Sequence, residues 1–138
     1  MVAQPVFSQE SAVRIGVVDM NKLLQESPQY QDMLSAVEEE FAPRVRDIEA
    51  KEASFNENRE QLNKDNLALS NDERQNATLK LASAQRELEY LAQSFQEDRN
   101  NRIQIETNKI IVETINVVNK FGRDSGYDLI INEGRINQ

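Results

Sequence analysis

Asp19 closes the apolar run of "RIGVVDMNKLLQESP" (residues 14–28), and a carboxylate at a strand end is where many α/β enzymes hold a general base. Such a base needs convergent partners. The chain has no His and no Cys, which removes imidazole bases, thiolate nucleophiles, the commonest zinc ligands and disulfide staples together. None of its four glycines, Gly16, Gly122, Gly126 and Gly134, belongs to a phosphate loop of the G-x-x-x-x-G-K type. No nucleophile, base or metal-ligand set stands near Asp19, so no enzyme, metal or cofactor is expected. Asp19 reads instead as an N-cap, its side-chain oxygen accepting from the first turn of a short helix "MNKLLQE".

Charge narrows the partners. Sixteen basic against 24 acidic side chains give a net charge of −8, which opposes a phosphate backbone rather than neutralising it, so nucleic acid is not expected as a partner. No run of about 20 apolar residues exists. The first dozen residues, "MVAQPVFSQESA", lack the charged start and apolar core of an export signal. The expectation is a soluble chain from which any export signal has been removed.

The elements that must position working residues are long helices. Of the 138 residues only 38% are hydrophobic and 6% aromatic, with seven Gly and Pro together. The polar excess is Glu, Gln, Asn, Lys and Arg, which favours exposed helix over linker. Two short apolar runs, "VRIGVV" (13–18) and "YDLII" (127–131), read as buried strands near the two ends. Between them Ser27 and Pro28 announce a long helix as N-cap and first helical residue. Its apolar stripe runs Met33, Leu34, Val37, Phe41, Val45, Ile48, Phe55, Leu62 and Leu69, at heptad spacing. Glu52, Arg59 and Asn66 fall midway between the last four members, so the distal seam reads as loose and half polar. After "LALSNDERQ" the stripe resumes with Leu81, Ala84, Leu88, Leu91 and Phe95, and continues through Ile103, Ile110, Val117 and Phe121. Ser70 and Glu73 within the break have capping-box spacing. Pro43 removes a helix hydrogen bond and clashes with the Glu39 carbonyl, which predicts a kink or a helix boundary and offers a flex point.

The expected fold is mainly α with a small β body: a long antiparallel helical hairpin, a coiled-coil arm, projecting from the body. The expected divisions are 1–12, a disordered segment; 13–27 with 122–138, the body; and 28–121, the arm, with its tip near 69–73. Two short strands do not make a stable sheet alone, so self-association should complete the core.

"RIGVVDMNKLLQESP", a long polar hairpin and then "FGRDSGYDLIINEG" resemble the Skp/OmpH family of periplasmic chaperones, over about residues 13 to 134. The two terminal blocks are the specific part; the middle is generic coiled coil. The resemblance implies a homotrimer with a β-rich trimerisation body, strands Ile15 to Val18 and Asp128 to Ile131, and three helical tentacles around a cavity. It implies a holdase that keeps unfolded outer-membrane proteins soluble in the periplasm without ATP, and no small-molecule substrate. Two departures stand out. The best-studied members are basic, whereas residues 19–50 here hold 3 basic against 8 acidic and 56–82 hold 4 against 5, so a lipopolysaccharide site of clustered Lys and Arg is not carried over. The family also usually continues past the "NEG" turn into another strand, whereas this chain stops at "GRINQ", which implies a smaller body or a shortened chain.

A holdase needs many weak, exchangeable contacts on partly apolar surfaces, and several arms add avidity. The candidate client-binding residues are Phe55, Leu62, Leu67, Leu69 and Leu79 near the arm tip. Packing within the hairpin is the simpler reading for all five, and direct contact suits Leu67 and Leu79, which lie off the stripe. Phe41 and Phe95 read as hairpin core. Ile15, Val17, Leu129 and Ile131 read as body core or oligomer interface. "EEE" at 38–40 reads as a solvated face, and Asn76-Ala77-Thr78, a glycosylation-type triplet inside a helix, as a chance match. A structural or adaptor coiled coil would explain the hairpin equally well but leaves the paired terminal strands unexplained.

Overall fold

The structure, a computed structural model, describes residues 11–133. Residues 1–10 and 134–138 lie outside it, and with them most of the expected N-terminal segment and the end of the expected body. The elements run β1 (Ile15–Val18), α1 (Met20–Glu26), α2 (Pro28–Asp65), α3 (Asn71–Asp124) and β2 (Leu129–Asn132). The fold is mainly α with a small two-stranded sheet. It divides into two compact units, one holding the chain up to Tyr30 and from Asn108 onward, the other Gln31–Thr107.

In the first unit both caps follow from the sequence. Asp19 Oδ1 accepts from the Lys22 amide at 3.0 Å and starts α1. Ser27 closes α1 and opens α2: its hydroxyl donates to the Leu24 carbonyl and accepts from the Tyr30 amide, at 2.9 and 3.1 Å. The strands are parallel, with Ile15 opposite Leu129 and Val17 opposite Ile131. A parallel neighbour must be entered from the same end as β1, which needs a long return. The last stretch of α3, from Asn108, covers about 25 Å at 1.5 Å per residue, against about 13 Å for a four-residue strand. The strands are shorter than the apolar runs suggest, because Val13 and Arg14 precede the ladder and Asp128 serves as a clasp: its carboxylate takes the Arg14 amide at 2.8 Å.

Gly126 ends the return leg. It adopts φ of 72°, the left-handed region that glycine enters without strain. The Tyr127 amide reaches back to the Gly122 carbonyl at 2.9 Å and the Gly126 amide to that of Arg123 at 3.2 Å, the paired bonds of a Schellman motif. Arg14 locks the corner, its guanidinium donating to the Ser125 carbonyl at 2.8 Å and lying 4.8 Å from the Tyr127 ring centre. Gly122 is where α3 meets the sheet. A Cβ there would lie 2.5 Å from Ile130 Cδ1.

In the second unit α2 and α3 pair as an antiparallel hairpin. Phe41 and Phe95 meet edge to face with centroids 5.9 Å apart, and Arg44 reaches Asp98, Arg102 reaches Glu40 and Lys51 reaches Glu87 across the seam. α2 passes through Pro43 as one helix, so the expected boundary there is absent. The helices are joined by residues 66–70, slightly ahead of the 69–73 expected for the tip. Among the described residues the buried apolar side chains, Met33, Val37 and Phe41, all belong to this unit. Among its described residues the first unit buries only Gly122 and leaves its apolar side chains partly or largely in solvent.

Candidate functional site

Among the described residues no group of His, Cys, Asp and Glu side chains could hold a metal ion, and the candidate sites are uncovered apolar surfaces, one in each unit.

The first lies at the hairpin tip. The connection is built from polar chemistry: the Glu73 carboxylate accepts from the Ser70 amide at 2.8 Å while the Ser70 hydroxyl accepts from the Glu73 amide at 3.2 Å, a reciprocal capping box. The Ser70 backbone amide, and after it the Ser70 side chain, holds the Glu73 carboxyl below the usual glutamate range. Arg74, which the sequence reading did not single out, clamps the loop. Its guanidinium donates to the Asn66 carbonyl at 2.7 Å and the Leu69 carbonyl at 3.4 Å, partners for groups that the end of α2 leaves open. The Asp65 carbonyl takes the Ala68 and Leu69 amides. With its backbone satisfied in this way, the loop holds Leu67 outward at 99% exposure, and Leu79 is 60% exposed on α3. Leu62 and Leu69 are half-buried in a cleft of about 310 Å³ with Ala77, Leu81 and Ala84. Phe55 is half-buried too, with Arg59 5.9 Å from its ring centre. The five tip candidates thus divide: Leu67 and Leu79 face solvent, and Phe55, Leu62 and Leu69 line the hairpin.

The seam differs from the sequence pattern in its polar row. Glu52, Arg59 and Asn66 are exposed and stand outside it. Between the apolar members Phe41, Ile48, Phe55, Leu62 and Leu69 sits another polar row, Arg44, Lys51, Asn58 and Asp65, at a strict seven-residue period. Arg44 meets Asp98 at 2.7 Å and Ser94 at 3.3 Å while its guanidinium lies over the Phe41 and Phe95 rings. Lys51 meets Glu87 at 2.9 Å. Further out, Asp65 accepts from Gln61 on its own helix. Period alone could not choose between the two rows, since both lie beside the stripe. Val45, Val117 and Phe121, members of the stripe in sequence, are exposed.

The second surface is a face of the sheet. Alternation puts Gly16, Val18 and Ile130 on one side, where Ile130 packs on α3 at Gly122. Ile15, Val17, Leu129 and Ile131 share the other side, each 47–61% exposed. Four adjacent branched side chains left in solvent are unusual for a sheet that must hold itself together.

Comparison with known sequences identifies the setting. The family described as outer membrane protein (OmpH-like) matches residues 14–137. The chain belongs to the OmpH-like family. Its similar relatives include the chaperone protein Skp of Photorhabdus laumondii, 24% identical over 127 residues, which cover 92% of this chain and 77% of that protein. Skp of Pectobacterium atrosepticum is 23% identical over 129 residues, 94% of this chain and 78% of that one. Skp of Vibrio cholerae is 23% identical over 122 residues, covering 88% and 72%. Among the described residues of this OmpH-like chain, no helix is long and apolar enough to cross a membrane.

Proposed function

We propose that this OmpH-like chain is a chaperone that binds unfolded outer-membrane proteins in the periplasm and keeps them from aggregating, without nucleotide. The observation that carries the reading is the match over residues 14–137 to a family whose similar members are named chaperones. The geometry supports it. Leu67 stands free at the hairpin tip and Leu79 stands exposed on α3, apolar contacts that are weak singly and exchangeable. Phe55, Leu62 and Leu69, half-buried beside the cleft, are the second tier of client contacts.

The active form proposed is a homotrimer. Ile15, Val17, Leu129 and Ile131 present an apolar face that one copy leaves open, and strands of neighbouring copies would cover it, so that residues 13–27 and 122–138 act as the trimerisation body. Several hairpins on one client then add their weak contacts, which raises overall affinity without fixing any single contact.

The test is light scattering from an unfolded β-barrel membrane protein diluted out of urea. Suppressed aggregation at one trimer per client is the expected result. Undiminished aggregation at that ratio would leave the structural or adaptor coiled coil as the better account.

A further inference from the structure

The polar row of α2 divides the hairpin into unequal halves. Its first two members make rungs, Arg44 to Asp98 and Lys51 to Glu87, and the Glu40 to Arg102 pair lies in the same half. The Lys51 ammonium is held in its charged form above the usual lysine range by the hydrogen bond to Glu87 and by the charges of Glu87 and Asp47. The next rung would join Asn58 to Lys80. Both residues line the cleft, yet among the described residues no hydrogen bond joins them. From Lys51–Glu87 to the loop, no ion pair or side-chain hydrogen bond crosses between the helices among the described residues. Burial divides the same way: Met33, Val37 and Phe41 all precede Lys51.

The cleft has a simple origin. In this half the seam has only Phe55 and Leu62 of α2 and Leu69 of the loop as large apolar side chains on that side, and α3 answers Leu62 and Leu69 with Ala77 and Ala84 as well as Leu81. One large side chain per heptad facing alanines leaves the gap of about 310 Å³. The far end is held again, by the capping box and the Arg74 clamp. A weak stretch therefore lies between two fastened ends.

We propose that α2 and α3 part cooperatively along this stretch, residues 52–65 and 75–86, while the ladder up to Lys51–Glu87 and the loop clamp stay closed. Most of a protein helix's stability comes from packing its apolar face rather than from propensity, so these polar-rich stretches unwind once they lose their partner. Parting therefore exposes backbone amides together with Leu62, Leu69 and Leu81. If the chaperone reading holds, the opened seam brings apolar surface into reach of a client beyond that of Leu67 and Leu79.

Amide hydrogen exchange of the full chain, without client, tests the opening by itself. The expected profile is a plateau: amides of 52–65 and 75–86 exchange at a common opening free energy, on the order of 100-fold faster than those of 31–51 and 87–107. Glu87→Ala removes one rung and should carry the plateau past Lys51 toward Arg44. Asn58→Glu supplies a partner for Lys80 and should slow exchange across the whole stretch. Uniform protection along the hairpin overturns the proposal, as does protection that declines steadily toward residue 70, which is fraying from the tip. Aggregation assays then separate the two claims. If wild type suppresses aggregation and Asn58→Glu does so less well, the opening serves holding; equal suppression shows that it does not. If wild type does not suppress aggregation, the chaperone reading fails and the exchange result stands.

Discussion

Gly122→Ala sets two effects of similar size against each other. Replacing a helical glycine by alanine favours the helix by about 1 kcal/mol, less in a final turn. Against this, the new methyl would stand 2.5 Å from Ile130 Cδ1 and 3.3 Å from Ile130 Cγ1, and overfilling a packed contact costs about 1–3 kcal/mol. The clash should win, with a net destabilisation of about 1 kcal/mol and roughly five-fold faster exchange of the amides that tie the sheet together. The Glu133 amide, which donates to the Val18 carbonyl at 2.8 Å, and the Asp128 amide, which donates to that of Arg14 at 2.8 Å, are the reporters. Ile130→Val removes the colliding Cδ1 and alone costs about 0.5–1.5 kcal/mol. In that background the remaining contact is only tight, so Gly122→Ala should become stabilising by about 0.5 kcal/mol. The cycle then gives a coupling of about 1.5 kcal/mol. It must be run at one protein concentration, because association adds to apparent stability. If Gly122→Ala has the same effect in both backgrounds, α3 does not pack on the sheet through Ile130 and the reasoning fails.

Leu67→Ser should change thermal stability by less than about 0.5 kcal/mol, since the side chain is 99% exposed, while weakening suppression of client aggregation; unchanged suppression removes Leu67 from the contact set. Ser70→Ala should cost about 1 kcal/mol of helix stability through loss of the α3 cap, read by exchange of the first-turn amides. Because the folded state lowers the Glu73 pKa, its contribution is complete above the ordinary glutamate value of about 4.3 and is lost as acidification passes through the lowered value. An NMR titration of the Ser70 amide should show that midpoint below the ordinary value, and a midpoint at or above it contradicts the cap. Val17→Asp, which places a charge on the open sheet face, should shift sedimentation toward the single chain; an unaltered profile removes that face from the interface.

Much of the hairpin was legible because its signals are local. Asp19, Ser27 and the Ser70–Glu73 pair cap helices by bonds within three residues, and the Phe41–Phe95 contact follows from where the stripe turns back. What stayed hidden depends on relations that sequence period does not encode. The choice between Glu52, Arg59, Asn66 and Lys51, Asn58, Asp65 as the second row is a rotation of the helix about its axis, settled by the partner. The parallel sense of β1 and β2 depends on the return run of α3 and on the corner at Gly126. Gly122 carries no signal in its own neighbourhood, because the reason for a missing side chain is Ile130 on another element. Arg74 looked like any surface cation until the carbonyls of Asn66 and Leu69 were in view. Pro43, which predicted a boundary, sits inside a helix that the Phe41, Arg44, Phe95 and Asp98 cluster fastens on either side of it.

The seven-residue row of α2 also works as a registration key. Coiled-coil hairpins are prone to pairing one heptad out of step, because the apolar stripe repeats at that interval. Here a slip that advances α2 by one heptad toward the loop end of α3 would bring Lys51 from Glu87 to the position of Lys80, cation against cation. The opposite slip would leave Lys51 beside Ser94 and draw Arg44 away from Asp98 toward Ile105. Each exposed ion pair of this kind adds up to about 1 kcal/mol, and it also makes the misaligned pairings worse than the correct one. A chain poor in large apolar side chains thereby folds its long hairpin into a single alignment, with its cross-seam charges deciding which turn meets which.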